Sequence, residues 1–332
     1  MNGVSRRQFV QGAGVAGLGL LAGCGRLPGQ GQQPAKVPRI GYLSPFSPQH
    51  PFSEAFRDGL REQGYVEGEN IAVEYRFARD STERLPDLAA DLVSLRPDVL
   101  VVVSTLAARA AKAATSTIPI VMGGGDPLAT GLVASLAHPG GNLTGVTNIA
   151  PELSGKRLEL LKAAVPRVTR MAAIWNAADQ AMALEFGETL VAAKALGVEL
   201  MSIGVRERAD LERAYEAATD WRADAIILIT DQFVMANRVS LVSLSAQSGL
   251  PTISGDGEFA AAGGLMAYGP NRRELHRRVA HYVDKVLKGT KPADLPVERP
   301  MTFEFVVNLK TARELGLTFP NEIMLQVTEV IQ

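Results

Sequence analysis

Cysteine is almost absent from this chain of 332 residues: Cys24 is the only one. A single thiol cannot close an intramolecular disulfide, and its place near the N-terminus argues against a structural metal cluster. Histidine is scarce too, at His50, His138, His276 and His281. The last two lie five apart in a helix-like segment, a spacing that does not put both on one face, so they read as solvated residues and not as metal ligands. No G-x-S-x-G elbow and no P-loop occurs, and nothing in the pattern pairs two of the 35 acidic residues. No catalytic residue, cofactor or metal is therefore assigned, and an enzyme is not expected. There is no long Lys/Arg run, and the formal net charge is −1, which argues against nucleic acid as the main partner. No apolar run reaches the roughly 20 residues that a membrane-spanning helix needs.

What is present is the composition of a soluble globular protein, 46% hydrophobic and 21% charged, in a chain long enough for two ordinary domains. The N-terminus has its own grammar. Ser5-Arg6-Arg7-Gln8-Phe9 precedes an uncharged Gly-, Ala-, Val- and Leu-rich segment, Val10 to Leu21, and then Leu21-Ala22-Gly23-Cys24. A charged start, a short apolar core and small residues before a break describe an export signal. The adjacent arginines resemble the twin-arginine type, with an ordinary secretion signal as the alternative. Leu-Ala-Gly-Cys resembles the lipobox at which bacterial lipoproteins are cleaved and lipidated. Residues 1–24 thus read as a signal with lipobox and 25–37 as a flexible Gln-, Gly- and Pro-rich tether. Gly12-Ala13-Gly14-Val15-Ala16-Gly17 matches G-x-G-x-x-G, but no strand precedes it, so it is no dinucleotide site.

From Arg39 onward, strand-like and helix-like segments alternate. Val99 to Val103 is a continuous apolar run, the mark of a strand covered on both faces. Four βα units predict a parallel, doubly wound sheet. The stretch Asp126 to Val146 ends that series; its Gly140-Gly141-Asn142 turns the backbone just before an apolar, β-branched run. The alternation then starts again, with Ser154 and Asp210 expected as helix caps. A similar break, Gly263-Gly264, precedes Leu265-Met266-Ala267-Tyr268-Gly269. Two glycine-led hinge strands between two α/β lobes are the expectation.

Several stretches resemble the motifs of one family. They are Asp126-Pro127, His138-Pro139-Gly140-Gly141-Asn142-Leu143-Thr144-Gly145, Lys156-Arg157-Leu158-Glu159-Leu160-Leu161, Gly263 to Pro270, Tyr282 to Gly289, Pro292 to Val297 and Asn308 to Ala312. Together they are similar to an ABC-transporter substrate-binding family and span nearly everything from Pro38 to Ile331. The resemblance implies a type I periplasmic binding protein fold, with residues 38–147 and 268–300 in one lobe and 148–267 and 301–332 in the other. It also implies a monomer that closes on a small molecule, such as an amino acid or small carboxylate, and delivers it to a membrane permease driven by a separate ATPase. The place is the periplasm or the extracytoplasmic face of the membrane, held through Cys24. A ligand-binding protein for a sensor or chemoreceptor and an enzyme on the same fold remain alternatives. A sugar-responsive repressor would need N-terminal DNA-binding helices where the export signal and tether stand.

In such sheets, ligands collect at the carboxyl ends of the strands. The first lobe offers Ser44, Phe46, Ser104, Thr105 and Asp126; the second offers Asn176, Asp231 and Asp256; Asn148 and Tyr268 lie near the crossings. Ser104 and Thr105 could hold a carboxylate, Asp126 or Asp231 an ammonium group, and Phe46 or Tyr42 could form a wall. For each Ser or Asp, a plain helix cap or turn is an equal alternative.

Overall fold

The computed structural model describes residues 37–332 except 80, 149–151 and 166. Arg6, Arg7, Cys24, the Gly12 to Gly17 pattern and the tether up to Lys36 lie outside the described residues. Among the described residues, no helix is long and apolar enough to cross a membrane. Nor, among the described residues, is any group of three or more His, Cys, Asp or Glu placed to hold a metal.

The first lobe is built on β1 (Arg39–Ser44), β2 (Ala72–Phe77), β3 (Val99–Val103), β4 (Ile120–Gly123) and β5 (Leu143–Val146). They form a parallel sheet in the order β2-β1-β3-β4-β5. All five residues of β3 are buried, because helices cover both faces. On one face lie α1 (Pro51–Glu62) and α10 (Arg272–Leu287), which contribute Phe52, Phe56, Leu60, Val279 and Val283 to the core. On the other lie α2 (Leu85–Ser94) and α3 (Thr105–Ala114), with Leu85, Leu92, Ala107 and Ala111. His50 caps α1, its Nδ1 accepting from the Phe52 amide, and Pro51 fills the first helical position, where no amide donor is needed. His276 departs from expectation: it is buried, with its ring stacked on Phe52 at 4.1 Å between centroids. It shares the inward face of α10 with Leu275, Val279 and Val283, and burial holds its imidazole neutral, well below the ordinary histidine range.

The second lobe contains β6 (Arg170–Asn176), β7 (Glu199–Val205), β8 (Ala225–Leu228), β9 (Thr252–Ser254), β10 (Met266–Pro270), β11 (Phe303–Asn308) and β12 (Glu329–Ile331). Their order is β12-β11-β10-β9-β8-β6-β7. One face is covered by α4 (Glu152–Ala164), α5 (Gln180–Ala195), α11 (Leu309–Glu314) and α12 (Asn321–Met324), the other by α6 (Asp210–Asp220), α7 (Gln232–Ala236), α8 (Arg238–Ser248) and α9 (Gly257–Ala261). Parallel pairing is broken once: β10 and β11 are antiparallel, Met266 facing Val307 and Pro270 facing Phe303. The chain leaves this lobe after β10 to build α10 and returns at the same end, so β11 must run back along β10. Two expected caps act otherwise. Ser154 lies inside α4, donating to Glu185. Asp210 sits in the first turn of α6 and accepts from the Arg206 and Glu207 amides.

Three passages join the lobes: after β5, after β10, and between Glu298 and β11. The third, implied by the expected lobe boundary at 300/301 but marked by no glycine pair, is bound to the first. The Thr147 amide donates to the Glu298 carbonyl, and the Glu298 amide to the Gly145 carbonyl. The glycine pairs at 140–141 and 263–264 precede β5 and β10, so they lie at the opposite ends of those strands from the passages themselves. Tyr268, Gly269 and Pro270 belong to the second sheet; the first lobe resumes at Arg272. Within β5, Gly145 has φ +134°, and a Cβ there would stand 2.1 Å from the Met122 carbonyl oxygen.

Charged groups bridge the lobes near these passages. Arg272, at the start of α10, reaches Asp256 at 2.6 Å and sits 4.9 Å over the Phe52 ring. Across the same boundary, His50 lies 3.9 Å from Glu258, which also faces Arg238 at 3.6 Å. Burial, then the Arg272 charge, lowers the His50 pKa to about 4. Beside Asp256, Glu304 is raised to about 7, first by burial and then by the Asp256 charge.

Two outcomes are expected. Gly145→Ala places a methyl group against the β4 backbone in a conformation that L-residues avoid; it should cost roughly 3 kcal/mol or more, read as a lowered midpoint in urea unfolding. An unchanged midpoint would contradict the close approach. Glu304 ionises near pH 4.5 when unfolded and near 7 when folded. The folded state therefore holds the extra proton between those values and loses stability as pH rises through them. Glu304→Gln should flatten that slope and stabilise the protein at pH 8 by about 1 kcal/mol, after allowance for solvent screening, relative to its effect at pH 4. Equal effects at both pH values would refute it.

Candidate functional site

Residues at the strand ends of the first lobe interlock. Ser104 caps α3 from an unusual backbone conformation, φ +88°, its Oγ accepting from the Ala107 amide at 3.4 Å. Thr105 Oγ1 accepts from the Asp126 amide at 3.0 Å, and Asn148 Oδ1 accepts from the Gly125 amide. Asp126 spends one carboxylate oxygen on its own turn, accepting from the Leu128 and Ala129 amides. These four residues thus form one connected patch beside the first passage between lobes. Ser44 and Phe46 lie apart from it. Ser44 Oγ accepts from the Phe46 amide at 3.2 Å, and the Phe46 ring stacks on His50 at 4.2 Å and meets Phe52 edge-on. Tyr42, considered as a wall, is wholly enclosed among Phe56, Tyr75 and Phe77. It points into the core because the odd positions of β1 face the cluster opposite to the one that takes Ile40 and Tyr42.

In the second lobe, Asn176 Nδ2 donates to Asp231 at 2.7 Å, and the other Asp231 oxygen accepts from the Val234 amide, capping α7. Burial raises the Asp231 pKa above the ordinary carboxylate range, outweighing these bonds. Next to it, the side-chain oxygen of Gln232 is buried without a hydrogen-bond donor. Asp256 caps α9 through the Glu258 amide and gives its second oxygen to Arg272. The Tyr268 ring packs on Phe303 and Phe305 of the adjacent strand, while its carbonyl accepts from Arg157.

Where the lobes meet, Asn148, Arg157, Glu185, Thr230, Gly255, Pro270 and Arg272 line one pocket. Its free space is about 20 Å³, room for a single water, so a larger occupant requires the lobes to part. Of the residues expected from the sequence, Asn148 lines this pocket, and Asp256 adjoins it through Arg272. Arg157, Glu185, Thr230 and Arg272 were missed. For Arg157 a signal existed: on α4 it falls in the inward series with Leu158 and Leu161, and it is 6% exposed. A cation at a core position needs dedicated partners. It has them, with Nε donating to the Tyr268 carbonyl at 2.9 Å and Nη1 to Glu185 at 2.8 Å.

A "Tyrosine-binding protein" from Clostridioides difficile (strain R20291) is 25% identical over 317 residues, covering 92% of this chain and 90% of its own. A solved domain from Streptococcus pneumonia in complex with L-Trp is similar at TM-score 0.83 and 27% identity, over 89% of this chain and 99% of that one. A leucine binding protein from Thermotoga maritima, at 17% identity and TM-score 0.54 over 78% of each chain, shares the fold, that of the type I periplasmic binding proteins. The family described as ABC transporter substrate binding protein matches residues 50–331, nearly all of the described chain, and this chain belongs to it.

Proposed function

We propose that the protein is the extracytoplasmic solute-binding component of an ABC importer. It closes its lobes on an α-amino acid with an aromatic side chain and delivers the loaded form to a membrane permease driven by a separate ATPase. The observation that carries this reading is the polar pocket between the lobes, lined from both and set at their connecting passages. A ligand that touches both lobes stabilises the closed state by its differential affinity for it, and closure tells a permease loaded from empty. The names of the two relatives, one binding tyrosine and one holding L-Trp, support the ligand class. The protein binds without turning its ligand over and acts as a monomer. The patch of Ser104, Thr105, Asp126 and Asn148 and the pair Asn176 and Asp231 supply further polar contacts as the cleft opens. Ser44, Phe46 and Tyr268 support these loops from beside them. A lipid on Cys24 of the lipobox anchors the protein at the extracytoplasmic face of the membrane, in the periplasm.

A thermal-shift screen tests the ligand class. L-Tryptophan or L-tyrosine at 100 times its Kd should add roughly 2.7 kcal/mol and raise the midpoint by several degrees. A shift with sugars or polyols and none with amino acids would sink the proposal. For the anchor, Cys24→Ser should move the protein from the membrane fraction to the soluble fraction of fractionated cells. Retention of the variant on membranes would rule out lipidation at that position.

A further inference from the structure

Arg157 is the most confined cation of the pocket. Nε is fixed on the Tyr268 carbonyl and Nη1 on Glu185. The remaining amino group, Nη2, donates to no described residue and lies against Gly255, where a Cβ would stand 2.7 Å from it. Any side chain at 255 would therefore collide with the guanidinium edge that faces the pocket. Gly255 is itself held in place by its amide, which donates to Thr230 Oγ1 at 2.8 Å. Two further donors share the pocket. Asn148 uses its Oδ1 on Gly125, and its amide NH2 has no acceptor among the described residues. Arg272 commits Nη1 to Asp256. The open side-chain groups of Arg157, Asn148 and Arg272 are all donors, so the ligand group complementary to them is an acceptor with negative charge.

The opposite polarity is also present. Glu185 Oε1 accepts from both Arg157 and Ser154, while its Oε2 accepts from no described residue. Glu185 and Arg157 thus form an ion pair with one donor and one acceptor still open. The charges around the pocket already balance, Arg157 against Glu185 and Arg272 against Asp256. A lone anion or a lone cation would leave an uncompensated charge in a nearly closed space, which is costly. A zwitterion leaves the balance intact.

From this geometry we infer that Arg157 anchors the carboxylate of an α-amino acid zwitterion through Nη2, with Asn148 and Arg272 beside it and Glu185 Oε2 receiving the ammonium group. The inference rests on the amino-acid reading above and adds the residue that selects for the free acid. Arg157 is a binding residue distinct from the strand-end serines and aspartates, and Gly255 is the position that keeps its open edge accessible.

The test is titration calorimetry on the whole protein with L-tryptophan and L-tyrosine, each against its carboxamide, which keeps the ammonium group and the ring but lacks the carboxylate charge. The parent should prefer the acid by about 100-fold, the scale of a hydrogen bond to a charged group. Arg157→Lys keeps a cation opposite Glu185 but lacks the planar fork that aims separate nitrogens at the Tyr268 carbonyl, Glu185 and the pocket, and its acid-to-amide ratio should fall about tenfold or more. A purely structural role would weaken both ligands alike and leave the ratio unchanged. That result would overturn the anchor while the amino-acid reading stood. If the parent binds neither amino acid, both fall. Should the lysine variant not fold, Arg157→Gln combined with Glu185→Gln removes both buried charges and is read by the same ratio.

Discussion

The constraint on which the rest depends is that the chain passes between the lobes at one place, along the ends of β5 and β10 and the start of β11. Because the return must begin where the exit ended, β11 lies antiparallel to β10. For the same reason Glu298 is stitched between Gly145 and Thr147. Binding the first and third passages together by backbone hydrogen bonds makes the junction a single unit, and such a unit can flex as a hinge without letting the lobes slide. It also brings the loops after β8 and β9 opposite the first turn of α10, so that Thr230, Gly255 and Asp256 meet Arg272.

Electrostatics gives that junction its character. Arginines and carboxylates that would be poorly tolerated in a dry core are placed where the lobes meet, each with a partner. In the proposed closing motion, water would leave them and the pairs would strengthen; opening would rehydrate them. Burial pushes His50 towards neutrality and Glu304 towards its protonated form. The boundary therefore carries less ionised charge than its composition suggests. A pocket with room for one water is what such a boundary leaves when nothing larger is held.

Much of the fold was legible because it is written in short-range patterns. Val99 to Val103 read as a doubly covered strand and is one, because a continuous apolar run is decided by its own residues. What misled was always a long-range partner. His276 looked solvated because its spacing from His281 was considered instead of its place among Leu275, Val279 and Val283. Ser154 looked like a cap because Glu185, its acceptor, lies 31 residues away. The strand-end serines and aspartates were found where expected, but most already serve caps and turns. Arg157 stood only as part of a family-like stretch and not as a site residue, because the carbonyl and the carboxylate that hold it come from Tyr268 and Glu185.

By itself, the sequence determined the α/β grammar, the division into two series of βα units, the positions where the backbone must turn, and the polar character of the strand ends. Those are properties of residues and their near neighbours, set by sterics, periodicity and capping. Only the tertiary structure decided which polar groups are already satisfied and which remain open. A hydrogen-bonding group is spent or free according to what lies across the space from it, and at this junction the partners of Arg157, Arg272 and Asn148 lie between 16 and 111 residues away along the chain.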